Sequence, residues 1–129
     1  MDLFSTETIK NILPYDGVTA YHGIILDTKK AAFYYDRLLK TIQWKNDEAI
    51  LFGKKIITKR KVAWYGESEF SYKYSGVTKT ANIFTRELVE LKEFVEHESG
   101  EIYNSCLLNL YHSGNEGMAY HSDGEKMLK

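Results

Sequence analysis

The chain has 129 residues, 43% of them apolar and 27% charged, with a formal charge of −1. That length bounds one domain with its own core, residues 1–129, and ten Tyr, six Phe and two Trp exclude a disordered composition. A near-neutral protein has no global attraction for nucleic acid or an anionic membrane, so such a partner would have to be met by a local patch.

The N-terminus, "MDLFSTETIKNILPYDG", lacks the charged-then-apolar pattern of an export signal. No apolar run approaches the length of a bilayer span, so a soluble protein with no membrane partner is expected. "DTKKAAFYYDRLLKTIQW" predicts a helix capped by Asp27, with Ala31, Tyr34, Leu38 and Ile42 recurring along one face. "EAILFGKKIITKRKVAWYG" is rich in β-branched and aromatic residues around Gly53 and predicts a hairpin. "FSYKYSG" alternates as a strand does, with Tyr72 and Tyr74 on one face.

"TRELVELKEFVEHESG" predicts a second helix that buries Phe84, Leu88, Leu91 and Val95 and stops at Gly100. "IYNSCLLNLY" and "MAYHSD" predict two further strands joined through the turn "HSGNEG". Helices before and between strands make the class α+β. The single Cys106 excludes an intramolecular disulfide and fits a reducing cytoplasm. Its apolar neighbours predict a buried, unreactive thiol. His22, His97 and His112 lack a partner at metal-ligand spacing and are expected at the surface or in turns, while Trp44 and Trp64 read as core.

Chemistry concentrates near the C-terminus. On a strand, His121 and Asp123 project to one side. An imidazole and a carboxylate so placed can share a metal and, with a further His, make the facial triad of non-haem Fe(II) oxygenases. By itself His-x-Asp is a common pair. Asn109 and Tyr111 also alternate onto one face of an otherwise apolar strand, where buried polar groups need partners. They either satisfy each other and the backbone or face an anion beside the metal.

The segment "NLYHSGNEGMAYHSDGE" resembles the AlkB family of Fe(II)- and 2-oxoglutarate-dependent dioxygenases. The similarity continues upstream through "FGKKIITKRKVAWYGESEFSYKYSG", which looks like the members acting on double-stranded DNA. The resemblance implies that His121 and Asp123 are iron ligands and catalytic, and that Asn109 and Tyr111 hydrogen-bond 2-oxoglutarate. It implies that Glu125 reads the damaged base and that Tyr72 and Tyr74 line the pocket for a flipped base. Gly124 departs from the Asp that close relatives often carry, which bears on base selectivity.

Phe52, next to Gly53 at the expected hairpin tip, is similar in position to the intercalating finger of duplex-directed members; packing into the core is the alternative. Lys54, Lys55, Lys59, Arg60 and Lys61 cluster around it and could grip phosphates. The implied activity is oxidative demethylation of alkylated DNA, of the 1-methyladenine and 3-methylcytosine type, with Fe(II), 2-oxoglutarate and O₂. The implied fold is a double-stranded β-helix, or jelly roll, flanked by N-terminal helices. In the family the third iron ligand, a set of arginines that bind 2-oxoglutarate and the remaining strands lie downstream of the position of Lys129. The 129 residues alone are therefore expected to be feebly active and prone to associate. A non-enzymatic DNA-binding module, or an oxygenase directed at RNA or protein, is the alternative.

Overall fold

A computed structural model describes residues 10–74 and 77–118. The first helix, α1 (Thr28–Thr41), begins where expected: the Asp27 carboxylate accepts from the Lys30 backbone N–H at 2.8 Å. It ends earlier than the periodicity suggests, because Ile42 turns to extended backbone and drops into the core. The second helix, α2 (Arg86–Ser99), is capped by Thr85, whose hydroxyl accepts from Leu88 N at 3.2 Å. It stops at Gly100, whose φ of 72° is the left-handed conformation that a Cβ disfavours.

Between the helices lie β1 (Lys45–Leu51), β2 (Lys54–Gly66), β3 (Ser71–Tyr74), β4 (Val77–Thr80) and β5 (Asn82–Ile83), and β6 (Ser105–Leu110) follows α2. β2 organises the sheet. β1 runs antiparallel along its first part, β6 antiparallel along its second, and β5 adds a short parallel pairing at its end. Val62 pairs with both Lys45 and Asn109, so β1 and β6 occupy opposite edges of β2. β3 and β4 form a separate two-stranded ribbon. The outcome is a mixed sheet with two helices, consistent with α+β.

Side-chain alternation divides the sheet into two faces. Ala63, Tyr65 and Leu108 point to one, where Ile42, Leu88, Leu38, Trp44 and Phe84 complete the core. Tyr65, 2% exposed, keeps its hydroxyl satisfied by accepting from Gln43 N at 3.0 Å. Across the helix pair, Tyr34 donates to Glu90 at 2.9 Å and the Arg37 guanidinium meets Glu87 at 2.9 Å. Two expected core positions are corrected: Ala31 and Val95 are exposed. At this end of the helix pair the contact is made by their neighbours, with Phe94 meeting Tyr34 and the Lys30 ammonium. Past Met118, the strand expected over "MAYHSD" lies outside the described residues, and no helix among the described residues is long and apolar enough to cross a membrane.

Candidate functional site

The hairpin tip is the first feature that packing alone does not explain. Phe52 is 102% exposed, the opposite of a core residue. It also has a φ of 52°, followed by 77° at Gly53. Two successive positive φ values make the two-residue turn whose twist suits a tight hairpin, and its first position favours Asn, Asp or Gly. A bulky aromatic held there costs about 1 kcal/mol of backbone strain. Fold stability is therefore a poor reason for this residue to be Phe.

The expected basic cluster around the tip divides in two. Lys54 and Lys59 are exposed, and Lys55 pairs with Glu48 at 3.2 Å. Arg60 does not belong to this solvent-facing set. It is only 7% exposed and points into the protein. The cause is a register irregularity: Asn46 pairs with Lys61 but Glu48 with Ile57, so three β2 residues face one on β1. Such a bulge re-aims side chains. Asn46 Nδ2 fills the gap by donating to the Thr58 carbonyl at 2.8 Å, and the Thr58 hydroxyl donates to the Arg60 carbonyl at 2.7 Å.

The inward guanidinium joins two elements. Nη2 donates to Asp47 Oδ2 on β1 at 2.7 Å, and Nη1 donates to Asn109 Oδ1 on β6 at 2.7 Å. Asp47 also accepts from Lys79 of β4 at 3.2 Å, so one carboxylate ties the ribbon to the main sheet. Burial works to raise the Asp47 carboxyl, but the Arg60 hydrogen bond and the charge and hydrogen bond of Lys79 outweigh it. The group is held below its ordinary value. Two cations, Arg60 and Lys79, share this one carboxylate.

Asn109 lies on the sheet face away from the helices, and its partner is Arg60 rather than Tyr111. Tyr111 follows immediately after β6 and is 43% exposed. Leu107, on the same face, is 60% exposed. Tyr72 and Tyr74 sit on β3, where Tyr72 is the register partner of Lys79, the residue that reaches Asp47. Beyond Tyr111, His112 and Glu116 close the turn: Glu116 accepts from the His112 backbone at 3.1 Å and meets its ring Nδ1 at 3.0 Å. The imidazole hydrogen bond holds the Glu116 carboxyl below its usual range. Burial pushes the Cys106 thiol up, in line with an unreactive cysteine.

His121, Asp123 and Glu125 lie outside the described residues. Among the described residues, no three His, Cys, Asp or Glu side chains come together to hold a metal ion. The sequence does not single out Asp47, Arg60 and Lys79 together, because Asp47 stands beside a second acid, Glu48, and Arg60 sits in a basic run.

Comparison with known proteins decides what the arrangement belongs to. The profile of the 2OG-Fe(II) oxygenase superfamily matches residues 17–129. The chain belongs to this superfamily. As a 2OG-Fe(II) oxygenase it is 32% identical over 112 residues to human "Alpha-ketoglutarate-dependent dioxygenase alkB homolog 3", covering 86% of this chain and 38% of that protein. The bovine protein of the same name is 33% identical over 104 residues, 80% of this chain and 36% of its own length. Human "DNA oxidative demethylase ALKBH2" is 28% identical over 105 residues, 81% of this chain and 38% of that protein. The chain thus spans little more than a third of the length of these three relatives. Fe(II) and 2-oxoglutarate are the cofactors that the superfamily's description carries.

Proposed function

We propose that this chain is an AlkB-type dioxygenase sequence that grips alkylated DNA and holds 2-oxoglutarate, and that its reaction is oxidative demethylation of N-methylated bases of the 1-methyladenine and 3-methylcytosine type. The observation that carries the DNA reading is Phe52. A fully exposed aromatic, kept at positive φ on the tip of a hairpin with exposed Lys54 and Lys59 behind it, suits insertion between bases. Extruding a base from a duplex costs roughly a few kcal/mol of stacking and pairing, and an apolar wedge offsets part of that cost. Duplex DNA is therefore the favoured substrate, with RNA as the alternative that competition would reveal.

The residues fit the cofactors by their chemistry. His121 and Asp123 supply the imidazole and carboxylate donors that suit Fe(II). Asn109 is held by the Arg60 guanidinium, a cationic neighbour that favours a dicarboxylate, and Tyr111 follows two residues on with a hydroxyl that can donate to it. Fe(II) bound by His121 and Asp123 would supply oxidising chemistry in which one oxygen atom of O₂ goes to the N-methyl group, later lost as formaldehyde, and the other to 2-oxoglutarate, which leaves as succinate and CO₂. The rest falls to this chain: Phe52 and the lysines present the base, Tyr72 and Tyr74 flank it, Glu125 reads its edge, and Asn109 and Tyr111 orient the co-substrate. A jelly roll formed around the sheet described above would enclose these groups.

Binding to a methylated duplex oligonucleotide tests this reading, with Phe52→Ala and His121→Ala as variants. The expected result is weaker duplex binding for the first and lost demethylation with retained binding for the second. Binding that needs Phe52 but ignores metal and 2-oxoglutarate would instead identify a non-enzymatic DNA-binding module.

A further inference from the structure

Resting on that reading of the site, we propose that Arg60 is a positioning residue for the co-substrate. It fixes the Asn109 carboxamide so that its amino group, and not its oxygen, is offered to 2-oxoglutarate.

A free asparagine side chain can present either end, because its oxygen and nitrogen are nearly equal in size. Here the choice is made by chemistry. Arg60 Nη1 lies 2.7 Å from the Asn109 side chain, and a guanidinium has donors only, so the atom facing it must be Oδ1. That contact commits Nδ2 to the other side, where it donates to no described residue. An amino group held in this way suits an anionic ligand, and a carbonyl there would repel one. Arg60 is itself immobilised. Its second terminal nitrogen is held by Asp47 at 2.7 Å, and Asp47 is held in turn by Lys79 at 3.2 Å and by the Glu48 backbone N–H at 3.0 Å. Arg60 Nε is buried with no acceptor among the described residues, so the guanidinium has no other side-chain oxygen among them to turn to if Asn109 were reversed.

A merely structural arginine would behave differently. Its loss would weaken metal, DNA and co-substrate binding together through the fold. A positioning arginine affects co-substrate binding selectively, because only the amide orientation is released.

The test uses the protein as its complete reading frame encodes it. Arg60→Gln is compared with wild type for 2-oxoglutarate affinity, by calorimetry on the Mn(II)-loaded protein, and for affinity towards Mn(II) alone and towards methylated duplex. The expected result is about a tenfold or greater loss of 2-oxoglutarate affinity, the scale of one charge-assisted hydrogen bond, with metal and DNA affinities unchanged. In turnover, KM for 2-oxoglutarate rises while KM for DNA does not. Should Arg60→Gln fail to fold, Asp47→Asn is the second variant; it keeps the shape, loosens Arg60, and is expected to raise KM for 2-oxoglutarate severalfold. A folded Arg60→Gln or Asp47→Asn protein that binds 2-oxoglutarate like wild type, or loses all three affinities equally, overturns the proposal. Wild type that fails to bind 2-oxoglutarate in the presence of metal overturns the functional reading beneath it.

Discussion

Replacing Asp47 by Ala removes the one carboxylate that Arg60 and Lys79 share and leaves a guanidinium buried without its counter-charge. The Arg60 side chain is 8% exposed and that of Asp47 is 23% exposed. Breaking a buried pair by deleting one partner costs about 3–5 kcal/mol, because the surviving charge stays desolvated. Water reaches the rim of Asp47, and the half-exposed Lys79 contact adds about 1 kcal/mol at most, so about 3 kcal/mol is expected. Against a domain stability of about 5–15 kcal/mol this is a large share. Urea denaturation reads it as a midpoint lowered by roughly 2 M at unchanged slope. Replacing both members by Leu recovers part of the loss, since no buried charge then remains unpaired. The pH dependence has a fixed sign. The Asp47 carboxyl lies below its ordinary 3.8 in the folded state, so its contribution is complete above that value and disappears as pH falls through the folded pKa. The gap between wild type and Asp47→Ala therefore closes in acid. A cost below about 0.5 kcal/mol, or a double variant no better than the single one, would refute the reasoning.

Phe52→Gly relieves the positive-φ strain and is expected to stabilise the fold slightly, by about 0.5 kcal/mol, while weakening duplex binding in a fluorescence anisotropy titration. Tyr65→Phe strands the Gln43 N–H beside the core and is expected to cost about 1–2 kcal/mol in urea denaturation without changing DNA affinity. Cys106, with its thiol pushed up by burial, is expected to react with an aromatic disulfide reagent far more slowly in the folded protein than in urea; equal rates would contradict its burial.

The helices and the first hairpin were legible because their signals are local. Asp27, Thr85 and Gly100 mark helix ends by capping chemistry, and Gly53 marks the hairpin tip. The helical period named the apolar stripes but not which of their residues meet the other helix, so it included Ala31 and Val95, which are exposed, while Tyr34 and Phe94 make the contact. β4, "VTKT", and the two-residue β5 carry too little apolar pattern to register as strands. Arg60 was misplaced for a different reason. In sequence it is one of five cations in a run, and only a bulge that depends on pairing with β1 turns it inward to Asp47 and Asn109. Phe52 was legible as a tip residue, and its exposure and φ came from the structure. The face of Asn109 follows from alternation on β6, Tyr111 falls just beyond that strand, and the partner of Asn109 required knowing which strands adjoin.

The central claim is that these residues serve Fe(II)- and 2-oxoglutarate-dependent demethylation of DNA. Formaldehyde release from an N-methylated duplex oligonucleotide, measured on the protein of the complete reading frame, tests it most directly. The account predicts release that requires Fe(II), 2-oxoglutarate and His121 together and falls when Phe52 is replaced by Ala. No release from methylated DNA under those conditions, or release that persists without 2-oxoglutarate, would contradict it.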